Sequence, residues 1–67
     1  MVGEHNAAAR MANVLLMVFG SEKYFEVDLI EHDAAEEVAE ALRARGCIVR
    51  VADRGGLMKI QVPSDEN

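Results

Sequence analysis

Cys47 to Val62, CIVRVADRGGLMKIQV, reads as two alternating strands joined by a turn. Cys47, Val49 and Val51 fall on one face of the first strand, and Met58, Ile60 and Val62 fall on one face of the second. Between them Asp53-Arg54-Gly55-Gly56 supplies residues that tolerate positive φ, so the segment predicts a β-hairpin. The hairpin sets the fold class, because a strand pair with one apolar face needs a covering layer.

That cover lies immediately upstream. Ala35, Val38, Ala39 and Leu42 recur at i, i+3, i+4 and i+7, the stripe of a helix lying on a sheet, while Glu36, Glu37, Glu40 and Arg43 face water. Asp33, followed three residues later by Glu36, predicts an N-cap with a reciprocal capping box and a helix over 34–45. Acidic residues lead and Arg43 and Arg45 trail, as the helix dipole favours. Gly46 is the expected left-handed residue that ends the helix. Further upstream, Tyr24 to Ile30 alternates, with Phe25, Val27 and Leu29 opposite Tyr24, Glu26 and Asp28, the pattern of a half-buried strand. Asn13 to Phe19 is a continuous apolar run whose periodicity does not separate strand from buried helix; its length and β-branched content predict a strand. Pro63 stops the last strand, since it has no donor for the ladder.

The expected order is therefore ββαββ, an α+β fold with one helix packed on a mainly antiparallel four-stranded sheet. Residues 1–12 are expected to form a flexible N-terminal arm, 13–63 a single α+β domain and 64–67 a polar tail. Met11 leaves open a second translation start. In this arrangement Phe19, Leu15 or Met17, Ile48 and Leu57 remain on an uncovered sheet face, which implies a homodimer or a larger partner covering it.

Composition narrows the function classes. At 67 residues the core of one chain is marginal. With only Phe19, Tyr24 and Phe25 aromatic, its bulk comes from aliphatic side chains and methionine. A net charge of −5, with no cluster of Lys and Arg, argues against duplex nucleic acid. No apolar run approaches the ~20 residues of a membrane span. The lone Cys47 excludes an intrachain disulfide, and with no leader pattern at the N-terminus the expected location is the cytoplasm.

Chemistry-bearing patterns are sparse. His5 and His32 lie far apart without metal-ligand spacing, so neither a metal nor another cofactor is expected. Glu31-His32-Asp33 are sequence neighbours poorly placed to form a base and its orienter, and Asp33 is wanted for capping. Ser21 and Ser64 lack a nucleophile elbow, and Gly55-Gly56 does not open a helix and so forms no phosphate cradle. The chain reads as non-enzymatic. Glu36, Glu37 and Glu40 serve solubility and the dipole, or dock a basic partner. Arg54 at the hairpin tip is not demanded by turn geometry. It is a candidate charge-assisted contact to another protein, flanked by Leu57 and Lys59.

At these residues the chain resembles the regulatory proteins, also called coupling or effector proteins, of bacterial multicomponent diiron monooxygenases such as the methane, phenol and toluene hydroxylases. His32 to Arg43 is similar to their helix, and Val51-Ala52-Asp53-Arg54-Gly55-Gly56-Leu57-Met58-Lys59-Ile60 is similar to their V-x-D-R-G/A-x-x-x-x-I segment, with Asp53, Arg54, Gly55 and Ile60 carried over. The family usually has an aromatic where Leu57 or Met58 stands, and its members are longer, with two copies of a β-α-β-β motif of which this chain spans one. The resemblance implies a non-catalytic protein that docks on a hydroxylase through Asp53, Arg54, Gly55, Leu57 and Lys59 and modulates its active-site conformation. The alternative is a small dimeric α+β ligand-sensing or adaptor domain.

Overall fold

The computed structural model describes residues 7–63. Its elements run α1 (Ala7–Phe19), β1 (Tyr24–Asp28), α2 (His32–Ala44), β2 (Ile48–Val51) and β3 (Leu57–Gln61). The fold class is α+β, but the order is αβαββ with two helices and three strands, not ββαββ with four.

The correction falls on Asn13 to Phe19, which is the second half of a 13-residue helix and not a strand. Read together with Ala7-Ala8-Ala9-Arg10-Met11-Ala12, all strong helix formers, the segment is too long for an ordinary strand. Ala7 to Ala12, expected in the arm, thus belong to α1. Residues 1–6 of that arm and the tail 64–67 lie outside the described residues.

The hairpin and the strand before it follow the expected alternation. β3 is central, antiparallel to β1 on one side and β2 on the other. Register aligns Phe25, Ile60 and Val49 in one row across the sheet and Val27, Met58 and Val51 in the next. These rows face the helices, and Met58 and Ile60 are completely buried. β1 and β2 therefore run parallel to each other with β3 between them, and α2 makes the crossover on the inner face.

α2 buries Ala35, Val38, Ala39 and Leu42, as its stripe predicts. α1 lies mainly against α2, contributes Ala12 and Leu15 to the same core, and stacks Phe19 on Phe25 of β1 at 5.1 Å between ring centroids. Small residues at Ala12, Ala35 and Ala39, all fully buried, let the two helices approach closely. Arg45 reinforces the join, donating from Nε to Asn13 Oδ1 at 2.9 Å and from a guanidinium nitrogen to the Ala41 carbonyl at 2.8 Å. The result is a two-layer molecule whose thinnest dimension is 17 Å.

The helix ends differ in how well they were foreseen. At the C-terminus the Cys47 N–H bonds the Leu42 carbonyl at 3.1 Å and the Gly46 N–H bonds the Arg43 carbonyl at 2.9 Å, with Gly46 at φ 93. This is a Schellman motif, and it needs a residue without a Cβ penalty at Gly46. At the N-terminus Glu31, not Asp33, is the N-cap, and it makes no side-chain capping bond. Glu36 instead reaches His32, one turn earlier, at 3.2 Å.

Cys47 is buried, and desolvation pushes its thiol above the ordinary value of 9.0, partly opposed by the charge of Arg45. A raised folded-state value favours the neutral thiol in the native protein. Its stabilising contribution is complete below the unfolded-state value and is lost as pH rises through the folded one. Native Cys47 is expected to resist a thiol-specific reagent at pH 8 and to react at the ordinary rate once the chain is unfolded in denaturant. Equal rates in the two states would contradict its burial.

Candidate sheet-face docking site

The sheet face turned away from the helices carries the other side of each strand. Its middle row is Glu26, Lys59 and Arg50, with Tyr24, Gln61 and Ile48 in the row on one side and Asp28 beside Leu57 on the other. This corrects the expected apolar second face. Leu15 is in the helix-side core, Phe19 stacks on Phe25, Met17 is on the helical layer, and of the residues assigned there only Ile48 and Leu57 belong to the face. The open face is a charged surface with apolar flanks.

Its central feature is the pairing of Arg50 directly with Lys59 across β2 and β3. Two cations at opposed positions of an antiparallel pair repel, at a cost of order ~0.5 kcal/mol. Glu26 stands on the other side of Lys59, but its carboxylate accepts the Tyr24 hydroxyl at 2.9 Å. That hydrogen bond, with lesser contributions from burial and the charge of Glu26, raises the Tyr24 phenol above 10.0. Among the described residues no carboxylate forms an ion pair with Arg50 or Lys59; Glu36 contacts His32 at 3.2 Å, a pair that is ionic only when the imidazole is protonated. Two shallow grooves open beside the cations. One, of about 280 Å³, is lined by Arg50, Val51, Ala52, Leu57 and Lys59, and the other, of about 310 Å³, by Tyr24, Ile48, Arg50, Lys59 and Gln61.

Of the residues expected to bind a partner, Leu57 and Lys59 come together on this face, whereas Asp53, Arg54 and Gly55 sit on the exposed β2–β3 loop and do not line either groove. Ile60, carried over with them, is fully buried on the opposite side of the sheet. Sequence reasoning missed Arg50. The signal was present, because in the alternation of Cys47, Val49 and Val51 the intervening Arg50 must face the other way, but its pairing with Lys59 required the register across the loop.

That loop is held against the β1–α2 connection. The Leu29 N–H bonds the Gly56 carbonyl at 2.9 Å, and His32 Nδ1 lies 3.2 Å from the Gly55 carbonyl. The neutral imidazole has one N–H and satisfies either this carbonyl or Glu36, whereas the imidazolium donates to both. Ile30 takes a left-handed conformation, φ 74, at the centre of a γ-turn in which the Glu31 N–H bonds the Leu29 carbonyl at 2.7 Å. Asp28 accepts the Ile30 N–H at 2.8 Å, which offsets part of the strain of placing a β-branched residue there.

Among the described residues no group of three or more His, Cys, Asp or Glu is placed to hold a metal ion, and no helix is long and apolar enough to cross a membrane. Compared with protein-family models, with curated proteins and with solved structures, the chain finds no match.

Proposed function

We propose that this chain is a non-catalytic binding module that docks, through the open face of its sheet, on a carboxylate-presenting surface of a larger protein. The observation that carries the reading is the opposed pair Arg50 and Lys59, two cations side by side without a carboxylate partner among the described residues of an acidic chain. Such a pair is unfavourable alone and favourable when an anionic group sits over both, and Arg50 supplies a planar fork suited to a carboxylate. Tyr24, Ile48 and Leu57 add apolar contact around it, and the sheet fixes the backbone positions of the constellation, so binding orders side chains but no loop. Duplex nucleic acid fits poorly, since the rest of the molecule would repel its phosphates. The resemblance at Asp53-Arg54-Gly55 gives the reading its most specific form. In that form the larger protein is the hydroxylase component of a diiron monooxygenase, and the chain shifts its conformation by binding one state more tightly than another.

Titration of the labelled chain with a glutamate-rich peptide, followed by NMR, tests the docking face. Shifts are expected at Tyr24, Ile48, Arg50, Lys59 and Gln61. Affinity is expected to fall with salt and to drop at least about tenfold in the Arg50→Glu, Lys59→Glu double variant. Shifts confined to Arg10, Arg43 or Arg45 would remove the assignment. Addition of the chain to a diiron hydroxylase tests the coupling role separately: altered turnover that the double variant fails to produce supports it, and unchanged turnover argues against that client.

A further inference from the structure

Five of the eight exposed large hydrophobic side chains of the described residues lie on α1, away from the open sheet face. Met17 is 79% exposed, Val18 61%, Val14 50% and Met11 38%. Val14, Met17 and Val18 fall at i, i+3 and i+4, so they form one stripe on the side of the helix opposite buried Ala12 and Leu15. α1 is therefore apolar on both sides, which is the character of a helix covered on both sides. We propose that this outward stripe seats a second copy of the same chain, in an antiparallel α1 pair about a two-fold axis near Val14.

Charge selects the occupant. A chain of net charge −5 repels its own copies unless the contact excludes carboxylates, and α1 carries none; its sole charged residue is Arg10. Nor does α1 complement its own dipole, having no acidic residue in its first turn and no basic residue in its last. Arg10 sits near the N-terminal end, where a cation is unfavourable. The antiparallel arrangement resolves this: with Val14 near the axis, Arg10 of each copy lies over the C-terminal turn of the other's helix, whose carbonyls attract it. An isologous contact of this kind uses one patch twice and closes on itself. An anionic lipid surface is a poor alternative, because a single cation on the face of an acidic chain gives little attraction.

Size sets the strength. Val14, Met17 and Val18 together expose roughly 350 Å² in each copy, so the pair buries at most roughly 700 Å² in all, below the standard interface and at the low end of weak, reversible association; Met11 lies outside the stripe, in a groove against Ala34, Glu37 and Val38 of α2. Association this small is expected to be dissociated at low micromolar concentration and to appear only as the protein is concentrated. This dimer leaves the Arg50 and Lys59 face open and stands whether or not that face binds a client.

Sedimentation of the full chain from roughly 5 to 500 µM, paired with methyl NMR over the same range, tests the proposal. The expected result is a monomer–dimer equilibrium in which the Val14, Met17 and Val18 methyl signals move with concentration while those of buried Met58 and of Ile48 on the open sheet stay fixed. Met17→Glu is expected to weaken association at least about tenfold, and Arg10→Glu about threefold, with far-UV circular dichroism of the dilute protein unchanged. A monomer at the highest concentration, or a dimer whose formation shifts Ile48 and not Met17, overturns it. Because the NMR reading uses the unmodified chain, loss of folding in a variant does not blunt the test.

Discussion

Gly56→Ala is expected to lower the thermal midpoint by about 15 °C, corresponding to about 3 kcal/mol for a domain of this size. Gly56 is buried where the β2–β3 loop meets the β1–α2 connection. A Cβ there would lie 2.7 Å from the Leu29 carbonyl carbon and 2.9 Å from the Glu31 nitrogen, with the Ile30 nitrogen closer still. All three are main-chain atoms, and they belong to a turn already held by the strained Ile30 and by the Leu29 to Gly56 hydrogen bond. The connection cannot retreat without breaking that bond and the first turn of α2. Gly55→Ala is the control. Gly55 has φ 74, but a Cβ on it meets nothing within 4 Å, so the cost is the left-handed backbone alone, about 1 kcal/mol. Calorimetry of the two variants separates the effects. A Gly55 variant as damaged as the Gly56 variant would mean that the loops are not apposed as described.

That contrast marks where the sequence stops being legible. Both glycines suit a hairpin turn, and turn chemistry predicts a need for positive φ at this tip; Gly55 meets it. Gly56 answers a different demand, the approach of a chain segment from elsewhere in the sequence, and no local pattern reports such an approach. The same division runs through the molecule. The faces of β1, β2, β3 and α2 were readable because each follows a period set by its own backbone, and Gly46 because a helix stop is local. The second half of α1 was not readable by itself, because Val14 to Phe19, an apolar run without polar interruptions, has no phase from which to separate a period of two from one of 3.6. A strand over Asn13 to Phe19 would put Leu15 and Phe19 in the wrong layer and leave the open sheet face oily. The N-cap of α2 failed for a smaller reason: Asp33 has the right spacing to Glu36, but His32, one position earlier, engages Glu36 and the loop carbonyl of Gly55. In the candidate site, Leu57 and Lys59 were found through the hairpin, whereas Arg50 became significant only through its partner across the sheet.

The strongest expected effect belongs to Ala12→Asp, a substitution at a position that a strand beginning at Asn13 would leave outside the domain and tolerant of change. In α1 Ala12 is fully buried in the core that α1 shares with α2, and no buried side-chain polar atom there is left free to receive a carboxylate among the described residues. Removing it from water while overfilling a contact made for a methyl group costs about 4 kcal/mol. A domain of this length holds only about 5 kcal/mol in total, so the variant retains about 1 kcal/mol and roughly one molecule in six is expected to be unfolded at 25 °C without denaturant. Met17→Asp supplies the comparison on the same helix. It carries a slightly smaller loss of helix propensity and a carboxylate in the last turn, but its side chain stands 79% exposed, and in dilute solution it is expected to cost about 1 kcal/mol. Denaturant unfolding at low micromolar concentration, where an α1 pair is dissociated, isolates the folding term from association. A tolerant Ala12→Asp would return residues 7–12 to the status of an arm. A damaging Met17→Asp under those dilute conditions would mean that the outward stripe is core of the single chain, and α1 would then lack the free face on which the proposed dimer depends.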